Sequence, residues 1–251
     1  MSLATLITRF SPRVFTKANS VKYFSTSSAV RNATPTANED LTQTLLEATL
    51  PFIPEHGWTM ESIVRGIEAL GYPSVAHGIF EDGEAGLVDA FLTRSRRQHV
   101  ESIQKALASE EFQSLVTIDK VKHLTALRLD LVKPYAHNWH EALAIMAHPS
   151  NVPSSLKHLA ELVDDVLYYA GDRSPDFNWY TKRAGLAAVY TSTELFMTQD
   201  RSVDYVETLR FLDRRFNEVE QLETAKREVG TMLEFGAKSF IGLLGTRGIR
   251  F

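Results

Sequence analysis

Apolar positions along this chain recur at spacings of three and four residues, and alternation with a period of two is almost absent beyond residue 38. A helix turns about 100° per residue and aligns such positions on one face, so the pattern predicts an all-α protein. About ten helices are expected, over 41–56, 60–70, 73–80, 84–108, 118–135, 138–147, 153–170, 175–198, 202–224 and 226–244. Pro51 and Pro54 lie inside the first apolar run and should kink or break it, because each lacks the N–H a helix needs. Thr59 is placed to cap the second helix, with Glu61 in its first turn, and Gly71 followed by Pro73 to stop it. Gly171 closes a later helix. Ser174-Pro175-Asp176 opens the next with a cap, a proline at the first helical position and a carboxylate at the positive end of the dipole.

An apolar helix, Gly57-Trp58-Thr59, a helix carrying Ile63 and Ile67, Leu70-Gly71, a short segment from Ser74 to Phe80 and a long helix from Leu87 follow one another. That order resembles the amino-terminal part of TetR-family regulators. The resemblance implies a TetR-like fold, with a helix-turn-helix at about 41–92 and a ligand or partner part at about 93–225. In that family the third helix enters a DNA major groove and the carboxy-terminal helices hold a small apolar ligand. The charges here oppose the DNA role. From Leu41 to Leu92 one basic residue, Arg65, stands against eight acidic ones, and such a surface repels phosphates. Ser74 to Phe80 offers no Arg, Lys, Asn or Gln for base edges, leaving His77 as its sole candidate. The expected scaffold therefore binds no nucleic acid. A TetR-type ligand-responsive DNA-binding regulator is the alternative, and salt-sensitive duplex binding would mark it.

The first 38 residues hold five basic side chains, many Ser and Thr, and no acid before Glu39, the composition of a mitochondrial transit peptide and linker. Removing 1–38 takes the formal charge from −4 to −9, since all five charges lost are positive. The chain contains no cysteine, which excludes a disulfide framework, and no run of 18 apolar residues.

Catalytic patterns are missing. No Glu-x-x-His pair, His-Glu-x-x-His, Gly-x-Ser-x-Gly, phosphate-binding glycine loop or dinucleotide fingerprint occurs. His137 and His140 have the best metal-like spacing but lack a convincing third ligand, so they read as surface or boundary histidines. No enzyme, metal site or cofactor is expected.

The richest segment runs from Val163 to Arg183. Asp164 and Asp165 precede Tyr168 and Tyr169 by one turn, and beyond Gly171 the pairs Asp176/Tyr180 and Trp179/Arg183 are i, i+4 neighbours that can form one aromatic and charged stripe. Trp, Tyr and Arg anchor protein interfaces by burying large amphipathic area at modest entropic cost. The residues alone equally allow Trp179 to pack into the core. With Pro54-Glu55-His56-Gly57-Trp58-Thr59 and Asn151-Val152-Pro153-Ser154-Ser155-Leu156, this segment resembles the family of mitochondrial ubiquinone (coenzyme Q) biosynthesis accessory proteins. The likeness spans roughly Leu45 to Gly245. It implies a non-catalytic, lipid-binding partner of the demethoxyubiquinone hydroxylase and its biosynthetic complex, with a homodimer as the expected assembly. It further implies that Asp164, Asp176, Trp179, Tyr180 and Arg183 face the hydroxylase, together with Val166, where relatives can have Met.

Residues 226–251 form a cationic tail, five basic residues against two acidic. Val229, Met232, Leu233, Gly236, Phe240, Leu243 and Leu244 fall within an arc of roughly 120° on a helical wheel, with Thr231, Glu234 and Lys238 opposite. Such a helix suits the surface of an anionic membrane. Here the resemblance implies the matrix side of the mitochondrial inner membrane, peripherally attached. Leu127, Leu131, Leu143, Ile145, Leu156, Leu159, Leu162, Leu186, Val189, Leu195 and Phe196 are expected to be buried among the carboxy-terminal helices. That they surround a cavity for an isoprenoid quinone precursor or a phospholipid is what the resemblance implies.

Overall fold

Two prolines divide the first apolar run as expected. Helix α1 (Ala37–Thr49) gives way to a 3-10 turn at Leu50–Phe52 and a single α-turn, α2 (Ile53–His56), where Pro51 and Pro54 cannot donate to the preceding turn. The computed structural model describes residues 37–73, 80, 82–172, 178–219 and 221, the side chains of 37–39 and 178–180 excepted. Helices α3 (Met60–Ala69), α4 (Glu84–Leu107), α5 (Glu110–Ser114), α6 (Thr117–Asp130), α7 (Trp139–Ala147), α8 (Val152–Tyr169), α9 (Asn178–Met197) and α10 (206–219) follow. Every regular element among the described residues is helical, so the all-α expectation holds. The segments expected as helices at 73–80 and 226–244 lie outside the described residues, apart from Pro73 and Phe80.

Three local expectations change. Thr59 holds the cap position of α3, but its hydroxyl donates back to the His56 carbonyl (2.8 Å), and the first free N–H, on Met60, is taken by Glu84 (3.0 Å). The single helix expected over 118–135 stops at Asp130 and resumes as a 3-10 turn at Lys133–Tyr135, because Pro134 removes a donor and restricts the residue before it. The helix expected from 202 starts at 206. Asp200 accepts the N–H groups of Ser202 (2.8 Å) and Thr208 (2.8 Å) and the Thr208 hydroxyl (2.6 Å), tying the turn between α9 and α10. Burial alone would raise this carboxyl; the donors outweigh it and hold it at about 2. Gly71 and Gly171 end α3 and α8 with positive φ, as expected.

Helix α1 packs on α3 and α4, while α4 runs on to meet α6, α7 and α8, with α9 against α8. Where α4 meets α7 the core is aromatic. The rings of Trp58, Phe91, Tyr135 and Trp139 meet edge-on or tilted at 5.1–6.0 Å between centroids. Gly57 makes this node possible. Its φ of +71° suits a residue without a β-carbon, and a β-carbon there would overlap the Glu141 carboxylate, which accepts the Trp58 N–H at 2.8 Å.

Candidate functional site

Further along α4 and α7 the packing opens. Leu92 and Arg96 on α4, Arg128 on α6, Leu143 and Met146 on α7, Ser155 to Leu162 on α8, and Tyr190 to Glu194 on α9 surround a mostly apolar cleft of about 150 Å3. Leu162 is buried as expected, and Leu143 and Leu159 are partly buried against the core. Leu156 is not buried: it is 57% exposed, at the cleft's lip, and Leu195 is 54% exposed on the far side of α9 from Leu186, Val189 and Met197. Leu195 lies outside the 3.6-residue stripe that those three residues define, which is why its burial fails.

The polar end of the cleft is unequally satisfied. Arg96 clamps Asp165 through Nε and Nη2 (2.6 and 3.2 Å) and reaches Glu161 through Nη1 (2.6 Å). Burial works against its charge, but the two carboxylates outweigh burial and raise its pKa further. His158 Nε2 and the Ser154 hydroxyl both donate to one oxygen of Asp89 (2.8 and 2.7 Å), and the His158 bond is the main reason that this acid is held below its usual range. The Tyr190 hydroxyl donates to Glu194 (2.9 Å). Burial pushes the Glu194 carboxyl up, opposed by the positive charge of Arg128. Arg128 itself is 4% exposed, and its Nη1 has no hydrogen-bond partner among the described residues.

The two adjacent aspartates of the central segment part company. Asp165 points inward to Arg96, whereas Asp164 is exposed and accepts from Arg183 Nε (2.6 Å). Tyr168 lies beside them, 42% exposed and edge-on to Tyr169. Val166 departs from the expected surface: it is 2% exposed, because two residues beyond Asp164 a helix has turned about 200° and faces the core. Of the remaining expected partner residues, Asp176 and the side chains of Trp179 and Tyr180 lie outside the described residues, as do His77 and the membrane-facing set Val229, Met232, Leu233, Phe240, Leu243 and Leu244. His137 Nδ1 accepts from Arg201 Nη1 (3.0 Å), and His140 Nδ1 lies 3.1 Å from the His137 carbonyl, so both rings are engaged with protein groups. Among the described residues no helix is long and apolar enough to cross a membrane.

The COQ9 family model matches residues 152–223, which include α8 and α9, one whole side of the cleft. The rat ubiquinone biosynthesis protein COQ9, mitochondrial, is 39% identical over 213 residues, covering 83% of this chain and 67% of its own. The chain belongs to the COQ9 family. The protein of the same name from Drosophila melanogaster is 38% identical over 196 residues, and there the match spans 78% of this chain and 60% of the relative. The chain thus matches about three-fifths to two-thirds of the length of these relatives. A TetR transcriptional regulator from Nitrosomonas europaea superposes with a TM-score of 0.57 at 16% identity, over 72% of this chain and 99% of the regulator, so this COQ9-family chain has the TetR-like fold.

Sequence reasoning passed over the residues that polarise the cleft. Arg128 sits in the buried stripe of α6 with Val121, Leu124 and Thr125, and Glu194 in that of α9 with Leu186, Tyr190 and Met197. The usable signal was a charged residue in register with apolar ones, since buried charge is rare without a purpose or a partner.

Proposed function

We propose that this COQ9-family chain is a non-catalytic accessory protein of ubiquinone biosynthesis, one that shields an isoprenoid quinone intermediate and presents it to the demethoxyubiquinone hydroxylase. The observation that carries the reading is the leucine-lined cleft between α7, α8 and α9, in the segment the family model matches. An apolar cavity near 150 Å3 accepts a benzene-sized ring, and the open lip at Leu156 leaves a path for a long tail. A DNA-binding role is disfavoured by the acidic helix-turn-helix region, whose described part keeps Arg65 paired to Glu61 and Glu68.

In this proposal residues 1–38 direct the chain to the mitochondrion, and the cationic helix of 226–251 rests on the matrix face of the inner membrane. Asp164, Asp176, Trp179, Tyr180 and Arg183 form the docking stripe, within which Asp164 and Arg183 share an exposed ion pair. The names of the relatives, ubiquinone biosynthesis proteins of mitochondria, support pathway and compartment.

The test is hydroxylase turnover on demethoxyubiquinone embedded in cardiolipin-containing vesicles, with and without the full chain. Wild-type protein should raise the rate several-fold. Trp179→Lys should abolish pairing with the hydroxylase and the rate gain while circular dichroism keeps its helical signal; loss of that signal would return Trp179 to the core and remove it from the docking stripe. Leu143→Trp, which fills the cleft, should keep hydroxylase pairing and lose the rate gain. No stimulation by wild type would end the proposal.

A further inference from the structure

Resting on the reading of the cleft as a lipid site, the geometry points to Arg128 as the receptor for one oxygen of a quinone-type ring, which enters the cleft head first with its tail leaving past Leu156. The polar side chains of the wall are otherwise engaged. Arg96 is held by Asp165 and Glu161, and His158 Nε2 by Asp89. The hydroxyls of Ser155, Tyr190 and Thr191 donate to the Asn151 carbonyl (2.9 Å), to Glu194 (2.9 Å) and to the Ala187 carbonyl (2.8 Å). Against these stands Arg128, a residue of the wall that is 4% exposed and whose buried Nη1 has no partner among the described residues.

A buried donor left unpaired costs more than an ordinary hydrogen bond contributes, so the free protein carries a penalty that an incoming acceptor removes. A ring carbonyl is satisfied by one or two donors, and leucine and methionine walls suit the flat apolar faces on either side of it. A phosphate would bring full charge and three or more oxygens into a wall of leucine and methionine, where most would stay unpaired. Ring chemistry therefore fits better than a phospholipid head. The same end holds Glu194 bonded to Tyr190, so a ring reduced to the phenol level would also find an acid within the cleft.

The experiment compares duroquinone with durene, which share a fully methylated six-membered ring and differ in the two oxygens, by titration calorimetry on the full chain. Wild type should bind duroquinone at least tenfold more tightly than durene, the gain of a hydrogen bond from a charged donor. Arg128→Met should remove that preference and leave durene affinity within about twofold. Arg128→Lys, a charged but shorter replacement, keeps the test open if the Met variant loses its helical signal, and should bind duroquinone more weakly than wild type does. Equal affinity of the two rings for wild type would overturn the Arg128 assignment and leave the lipid cleft standing. Failure of both rings to bind, together with no effect of Leu143→Trp on hydroxylase turnover, would remove the cleft reading as well. Binding of glycerol phosphate that depends on Arg128 would give the cation to a phospholipid head and overturn the proposal.

Discussion

Helices α4 and α7 build two regions of opposite character within a turn or two of each other. At Phe91 and Trp139 they close completely, with three aromatic rings, Phe91, Tyr135 and Trp139, interlocked around Trp58; at Leu92, Arg96, Leu143 and Met146 they leave open space. The difference lies in side-chain volume and in what fills the fourth side. Large rings fill the first region and leave Trp58, Phe91 and Trp139 at most 1% exposed, whereas the second mixes leucine and methionine with Arg96, whose head is drawn away to carboxylates. One region is closed by its rings and the other keeps an open, mostly apolar cleft. Tight packing and open space are thus separable along the same two helices.

The largest effect should come from breaking the closed region. Trp58→Ala should destabilise the chain by about 3–5 kcal/mol in urea denaturation, because the rings around it cannot collapse into the void. Leu143→Trp, within the open region, should cost far less than this, and a loss comparable to that of Trp58→Ala would erase the distinction.

A second test uses His99, buried on α4 one turn past Arg96, whose Nε2 lies 2.8 Å from the Leu124 carbonyl and donates to it. Burial, helped by the charge of Arg128, lowers this histidine to about 4, against the opposing hydrogen bond. Its folded value lies below the unfolded one, so its contribution is complete above about pH 6.5 and is lost as pH falls toward 4; the stake is about 3 kcal/mol. His99→Gln should flatten the slope of stability against pH across that window, as measured by Tm in a buffer series. An unchanged slope would contradict the assignment.

The smallest effects separate the two neighbouring aspartates. Asp165→Asn leaves the part-buried Arg96 without its clamp and should cost about 1–3 kcal/mol. Asp164→Asn disturbs an exposed pair and should cost less than about 0.5 kcal/mol while weakening hydroxylase pairing. Equal destabilisation by both would merge them into one structural feature.

Periodicity revealed the helical class and most element positions, because amphipathic stripes are long enough to be read residue by residue. Pro51 and Pro54 announced the first break, and Pro134 carried the same signal but was passed over. The split between Asp164 and Asp165 and the burial of Val166 needed the phase of α8 against α4, which spacing within one helix does not supply. The motif around Gly57 and Trp58 pointed to the family, yet its role as a staple between α2 and α7 depends on Glu141, 83 residues away from Trp58. Arg128 and Glu194 were legible only as charges in apolar stripes, a pattern that reads equally as surface until neighbouring helices are in place.

Native mass spectrometry of the full chain, purified without detergent and followed by lipid extraction, addresses the cleft most directly. Wild-type protein should carry an isoprenoid quinone or its precursor in fixed ratio to chain, and Leu143→Trp should arrive empty. An empty wild type, or the same lipid retained by the filled variant, would show that the cleft is not where such a molecule is held.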